Sequence, residues 1–194
     1  NVVGTHVECA AGELSFTVDG HRMSVPVWGR HHLNSALAAV AVGRIFGLSM
    51  RQIAAGLARF EAAPMRCEIT EVAGTTIIND SYNSSPTAMR AALELLRDFN
   101  APGRRIVVCG DMRELGDAAE SLHRQLGDEV VTLCGADLLL ACGDHARDVV
   151  DGACQAGMPE SQVGTFLRPE ETLPLLGDSL VPGDVVLIKG SRSM

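Results

Sequence analysis

The 194-residue chain carries a net charge of −8, and its basic residues are fifteen scattered arginines and one lysine, Lys189. No polybasic track follows from that pattern, which argues against nucleic acid as a partner, and no Gly-x-x-x-x-Gly-Lys-Ser/Thr phosphate loop is present. A hydrophobic fraction of 46% with only 4% aromatics suits helices packed on a parallel sheet better than an aromatic-rich barrel.

The six cysteines include no Cys-x-x-Cys pair, and Cys109 and Cys142 fall in apolar, strand-like runs. Buried, reduced thiols are therefore expected, with no metal site among these residues. No segment is long and apolar enough to span a bilayer, so no membrane insertion is expected. The start of the chain lacks the basic-then-apolar shape of a signal peptide, and a reducing, cytoplasmic compartment is the expectation.

In chain order, residues 1–28 alternate in short runs: Thr5 to Cys9, a turn at Ala11-Gly12, Leu14 to Val18, a turn at Asp19-Gly20, then Met23 to Val27. This predicts an antiparallel β-meander that starts inside a larger domain. From His32 to Phe46 the pattern turns helical and alanine-rich, ending at Gly47, a suitable residue for a helix C-terminus. A second helix follows from Ser49, whose spacing to Gln52 is that of a capping box, through Phe60. Glu61-Ala62-Ala63-Pro64 breaks the pattern, and a domain boundary is expected there, dividing 1–62 from 63–194.

Beyond it, Glu68 to Val72 and Thr75 to Asn79 flank Ala73-Gly74 as a hairpin. Strands at Arg105 to Cys109, Leu138 to Cys142, Val163 to Leu167 and Asp184 to Lys189 alternate with helices near Pro86 to Asp98, Ala118 to Val131, His145 to Ala156 and Pro169 to Leu180. That alternation predicts an α/β fold with a Rossmann-like, doubly wound, mostly parallel sheet. The dinucleotide fingerprint Gly-x-Gly-x-x-Gly is absent, which argues against a dehydrogenase.

Four polar loops follow four of these strands: Asn79 to Asn83, Gly110 to Gly116, Gly143 to His145, and Lys189 to Ser193. Loops at the carboxyl ends of parallel strands converge on one crevice, so a shared ligand site is expected. The first carries Asp80, Tyr82 and Asn83 and ends at Ser85-Pro86, a helix N-terminus suited to an anion. Asp111, Arg113 and Glu114 lie between two glycines and combine both charge signs, as a zwitterionic ligand with an amine and a carboxylate requires. Lys189, Ser191 and Arg192 offer two cations and a hydroxyl to a carboxylate or phosphate. Arg66, just past the boundary, is a guanidinium that can grip such a group bidentately. His31-His32 stand at the start of the alanine-rich helix, a place for an anion or nucleotide contact. His123, beside Leu122 and Leu126, reads as a structural residue.

Taken together, Gly29-Arg30-His31-His32, Pro64-Met65-Arg66, Asp80-Ser81-Tyr82-Asn83, Gly-Asp-Met-Arg-Glu-Leu-Gly at 110–116 and Lys-Gly-Ser-Arg-Ser at 189–193 resemble the Mur ligases. Within that family the last three motifs resemble the D-alanyl-D-alanine-adding branch. The resemblance implies residues 1–62 as the end of a central ATP-binding domain and 63–194 as the C-terminal Rossmann-like domain. The family's phosphate loop and magnesium ligands are then expected upstream of Asn1, and a final helix after Met194. It further implies ATP and Mg2+ as cofactors, UDP-N-acetylmuramoyl-tripeptide and D-alanyl-D-alanine as substrates, an acyl-phosphate intermediate in peptidoglycan precursor synthesis, and a monomer.

Residue by residue, Arg66 and Asp80 correspond to catalytic groups, with His31, Asn34, Arg66, Asp80 and Asn83 on the ATP side. Asp111, Arg113, Glu114, Lys189, Ser191 and Arg192 are then the dipeptide-binding set. The family's His-Asn-x-x-Asn reads His31-His32-Leu33-Asn34-Ser35 here. Asn34 stands one place early, about 100° round a helix. Another amino-acid ligase of this superfamily, such as a folylpolyglutamate synthase, and a stand-alone binding module are the alternative readings.

Overall fold

Three tight turns set the antiparallel strand pairings. In the computed structural model, which describes residues 1–100 and 102–194, Ala11-Gly12, Asp19-Gly20 and Ala73-Gly74 each place both residues at φ between 46° and 83°. That is the two-residue type I′ hairpin, whose twist matches that of the flanking strands. The chain divides into two compact units, Asn1–Ala63 and Pro64–Met194.

In the first unit β1 (Thr5–Ala10), β2 (Glu13–Val18) and β3 (His21–Val25) form a meander in that order. β3 begins two residues earlier than the expected Met23 to Val27, because the Asp19-Gly20 turn pairs Val18 with His21 and Pro26 has no N–H to extend the ladder. α1 (Leu33–Ile45) and α2 (Met50–Leu57) follow. Leu14, Phe16 and Val18 alternate onto one face of β2 and pack with Met23, Val25, Ala36, Val40 and Ile53. The Ser49 capping box forms: its Oγ accepts from the Gln52 N–H at 3.4 Å and Gln52 Oε1 accepts from the Ser49 N–H at 2.9 Å.

The second unit contains β4 (Glu68–Val72), β5 (Thr75–Asn79), α3 (Pro86–Asp98), β6 (Arg105–Gly110), α4 (Ala119–Glu129), β7 (Leu138–Cys142), α5 (Ala146–Gln155), β8 (Val163–Phe166), α6 (Leu173–Ser179) and β9 (Val185–Lys189). Its sheet has the order β4-β5-β9-β6-β7-β8, with β4 antiparallel and the rest parallel. Steps from β5 to β6, β7 and β8 all run in one direction, so right-handed crossovers put α3, α4 and α5 on one face. The return from β8 to β9 runs the other way and puts α6 on the opposite face, where Leu176 packs with Ile106, Val108, Leu140, Cys142 and Val186. This is the doubly wound, Rossmann-like sheet that the alternating pattern predicts.

Two helices depart from the expected spans. α4 continues as a π turn over Val130–Cys134 and stops at Gly135, φ 63°, a left-handed stop that glycine takes without strain. The expected helix from Pro169 opens as a 3-10 turn, Pro169–Thr172, before α6. α4 and α5 cross at glycines: a Cβ on Gly127 would lie 1.9 Å from the Val149 carbonyl oxygen, and one on Gly152 2.0 Å from that of Arg124. The backbones touch there.

At the amino end of the sheet Asp184, 1% exposed, accepts from the Arg104 backbone N–H at 3.0 Å and the Arg104 guanidinium at 2.6 Å, tying the starts of β9 and β6. No helix among the described residues is long and apolar enough to cross a membrane.

Candidate functional site

β9 fills the gap that the chain leaves between β5 and β6, and that is where the direction of winding reverses. Ligands of open α/β sheets sit outside such a point. The loops after β5, β6, β7 and β9 meet at this edge and are bonded to one another.

Lys189, at the end of β9, is 3% exposed. Its Nζ donates to Asp80 Oδ2 at 2.6 Å, to the Asn83 carbonyl at 2.9 Å and to the Asp80 carbonyl at 3.3 Å. An ammonium has only three donors. Lys189 therefore does not suit the dipeptide-binding part that its motif suggests, because its whole bonding capacity is spent tying the 80–83 loop to β9.

Asp80 is similarly committed. Its second oxygen, Oδ1, accepts from the Cys67 N–H at 3.1 Å, while the Tyr82 N–H donates to the Met65 carbonyl at 3.1 Å. These bonds pin both sides of Arg66, whose neighbours Met65 and Cys67 have φ of 59° and 50°. Left-handed backbone at non-glycine residues costs on the order of 1 kcal/mol each and persists only where surroundings enforce it. So Asp80 and Lys189 hold Arg66 at the tip of a strained loop. The Arg66 guanidinium lies 4.2 Å from the Tyr82 ring centre and that of Arg192 lies 5.6 Å from the same ring. Asn83 is exposed beside them.

The 110–116 loop is fixed from below. Asp111, 1% exposed, accepts from the backbone N–H groups of Asp144 and His145 at 3.0 Å each, capping the approach to α5. Its carbonyl accepts from the Ser191 N–H at 3.1 Å, and Ser191 Oγ accepts from the Arg113 N–H at 3.0 Å. Asp111 is thus a buried joint among three loops, with Arg113 outside it, 3.4 Å from both Asp111 and Asp144 carboxylates. Gly143, φ 110°, is obligatory here, since a Cβ would sit 2.6 Å from the Asp111 carboxylate. Glu114 is exposed, at φ 64°.

His123 proves structural in a definite way. Fully buried, it accepts the Met112 N–H on Nε2 at 2.9 Å, so the proton sits on Nδ1 and goes to the Ala119 carbonyl at 2.7 Å. Its ring stacks on His145, 4.5 Å between centres. Burial, with His145 adding to it, lowers its proton affinity below the ordinary histidine value, against the raising effect of the Ala119 carbonyl.

A cavity of about 310 Å3 opens beside the edge, lined by Tyr82, Cys109, Cys142, Ile188, Ser191 and Arg192 among others. All six cysteines are free. Burial pushes Cys142 up to about 11 and Cys67 up to about 12, so both thiols are neutral and unreactive at neutral pH.

The structure brings Arg66, Asp80, Asn83, Asp111, Arg113, Lys189, Ser191 and Arg192 to one edge of the second unit, with Glu114 on the same loop as Arg113. His31 and Asn34 belong to the first unit, exposed at the start of α1, with the His31 ring tilted at 41° against His32, 4.1 Å between ring centres. What the residue pattern did not disclose is Tyr82 as a platform for two arginines, and Gly143 as the space Asp111 needs. The glycine immediately after a buried strand was the available signal for the latter.

This edge, with its doubly wound sheet and linked loops, belongs to a known class. Residues 65–192 match the model of the Mur ligase, glutamate ligase domain, and the chain belongs to the Mur ligase family. Among curated relatives, the UDP-N-acetylmuramoyl-tripeptide–D-alanyl-D-alanine ligase of Bacillus subtilis is 31% identical over 98% of this chain, and that of Escherichia coli 33% identical over 97%. The chain spans 44% and 41% of their lengths. A crystal structure of MurF from Acinetobacter baumannii superposes with a TM-score of 0.86 at 30% identity, covering 99% of this chain and 42% of that one.

Proposed function

We propose that the chain is part of an ATP-dependent ligase of the MurF type, which joins D-alanyl-D-alanine to UDP-N-acetylmuramoyl-tripeptide in peptidoglycan precursor synthesis. On this reading residues 1–62 end the central ATP-binding domain and 63–194 form the C-terminal domain of a monomeric, cytoplasmic enzyme. The observation that carries it is the crevice at β5, β9 and β6, where Arg66 and Arg192 both lie against the Tyr82 ring with no carboxylate paired to either among the described residues. The names of the relatives support the choice of substrates.

The chemistry is that of acyl activation. A carboxylate oxygen of the tripeptide attacks the terminal phosphorus of ATP, the bond to the β-phosphate oxygen breaks, and ADP leaves. The dipeptide amine then attacks the acyl carbon, losing a proton, and phosphate departs. Such a reaction rests on positioning and on neutralising charge. Arg66 supplies charge to the phosphates. Asp80 acts on the nucleotide side through the loop it holds, together with Asn83, His31 and Asn34. The 110–116 and 189–193 loops receive the dipeptide, with Arg113 for its carboxylate, Glu114 for its amine and Ser191 between them, on the joint made by Asp111 and Lys189.

Mg2+ would accompany ATP and screen its phosphates. Asp80, the carboxylate beside the two arginines, is neutralised by Lys189 and suits a metal poorly. The family resemblance assigns the metal ligands to a segment other than 1–194.

Phosphate release by the full-length enzyme with Mg-ATP and the tripeptide tests the reading. Release should depend on D-alanyl-D-alanine and collapse in Arg66→Ala. Dependence on L-glutamate instead would move the chain to a sister ligase, and no release with either amine would overturn the proposal.

A further inference from the structure

Arg192 lies within the motif that, by resemblance, goes to the dipeptide. Its surroundings assign it elsewhere. The Arg66 and Arg192 guanidinium carbons lie 4.2 Å and 5.6 Å from the centre of one ring, Tyr82, and so within about 10 Å of each other, close enough for their charges to act together. Stacking on a ring occupies the face of a guanidinium and leaves its N–H edge free. Neither group has an ion-pair partner among the described residues. By contrast Arg113 is shared between Asp111 and Asp144, and the carboxylate of Asp80, which could have offset the pair, is taken by Lys189.

Both guanidiniums are also carried on fixed backbone. Arg66 stands between the two left-handed residues Met65 and Cys67. Arg192 lies in a turn closed by the Met194 N–H on the Ser191 carbonyl at 3.0 Å and anchored by the Ser191 N–H on Asp111. Two uncompensated cations are thus held over one ring by backbone that cannot easily separate them. A dipeptide zwitterion has no net charge and a single carboxylate. A phosphoryl group carries two negative charges and three peripheral oxygens, enough to occupy both forks.

We propose that Arg192 is the second arm of a phosphoryl clamp, paired with Arg66 at the Tyr82 ring, and that it serves phosphoryl transfer and not dipeptide capture. The inference rests on the ligase reading. In that reaction the clamp holds the phosphoryl group while its bond to ADP breaks and its bond to the tripeptide carboxylate forms. It then holds the same group as the amine displaces it from the acyl carbon and it leaves as inorganic phosphate.

The two halves of the reaction separate the roles. Full-length enzyme is incubated with Mg-ATP and UDP-N-acetylmuramoyl-tripeptide without dipeptide, and the acyl phosphate is trapped with hydroxylamine. The KM for D-alanyl-D-alanine is measured in parallel, for wild type, Arg192→Ala and Arg192→Lys, after matching their thermal unfolding. A clamp predicts that Arg192→Ala lowers trapped acyl phosphate by at least about tenfold, the scale on which a charge-stabilising donor acts, with the dipeptide KM within about twofold. Arg192→Lys, which keeps the charge without the planar fork, should fall between. A raised dipeptide KM with undiminished trapping in Arg192→Ala would overturn the clamp while leaving the ligase reading intact. Wild type that neither traps acyl phosphate nor releases phosphate with dipeptide would overturn both.

Discussion

Lys189→Met tests whether the buried ammonium is the brace of the candidate site. Methionine is unbranched, apolar and of similar length, so the substitution removes the charge and its donors and leaves the packing nearly filled. Three acceptors then lose a partner: Asp80 Oδ2 and the carbonyls of Asp80 and Asn83. Breaking a buried ion pair by removing one member costs about 3–5 kcal/mol. Asp80 keeps the Cys67 N–H, and its side chain is 15% exposed, so the lower end applies, about 3 kcal/mol. At about 2–4 °C per kcal/mol for domains of this size, the melting temperature should fall by about 6–12 °C.

Urea unfolding of wild type, Lys189→Met, Asp80→Asn and the double variant gives the coupling directly. The double variant should be more stable than the summed single costs predict by about 2 kcal/mol, because it no longer buries a lone carboxylate. A cost below about 1 kcal/mol for Lys189→Met, or costs that simply add, would show that the pair is solvated and refute the reasoning.

Four further outcomes follow from the structure. His123 has its proton affinity lowered by burial, from an ordinary value of 6.5; the unfolded chain therefore binds a proton there that the folded chain resists. Its contribution to stability is complete above that value and declines as pH falls below it, so urea midpoints between pH 8 and 5 should drop on the acid side, and His123→Gln should flatten that part of the profile. Gly127→Ala should destabilise by about 1–3 kcal/mol through overpacking, as its Cβ would meet the Val149 carbonyl at 1.9 Å. Gly177→Ala, on α6 with nothing within 4 Å, should instead gain up to about 1 kcal/mol by the same urea assay. Asp111→Asn swaps an acceptor for a donor facing a backbone N–H and should cost about 2 kcal/mol, with the 143–145 amides losing protection from hydrogen exchange.

The elements of both units were legible because they rest on local chemistry: glycine at left-handed turns, the Ser49 and Ser85 caps, and the alternation of apolar strand with amphipathic helix. The convergence of the polar loops was legible too, since parallel strands in a wound sheet send their carboxyl ends to one edge. Pairing at long range was not. Nothing near Val185 to Lys189 says that this last strand enters between β5 and β6. Without that neighbour Lys189 reads as a free cation, whereas in the fold it meets Asp80 across 109 positions. Asp111 misled for the same reason, the donors to its carboxylate being the backbone amides of Asp144 and His145. The glycine crossing at Gly127 and Gly152 leaves no local signal at all, because what it accommodates is another helix's backbone.

The single lysine has a chemical consequence. A primary amine acylates only as a free base with room for the reagent, and the Lys189 amine is 3% exposed with every donor engaged. In the folded chain an amine-directed dye therefore finds no reactive lysine among residues 1–194. Label enters at Lys189 only when the 80–83 loop lifts away from β9, so the extent of labelling at that residue reports how often that edge opens.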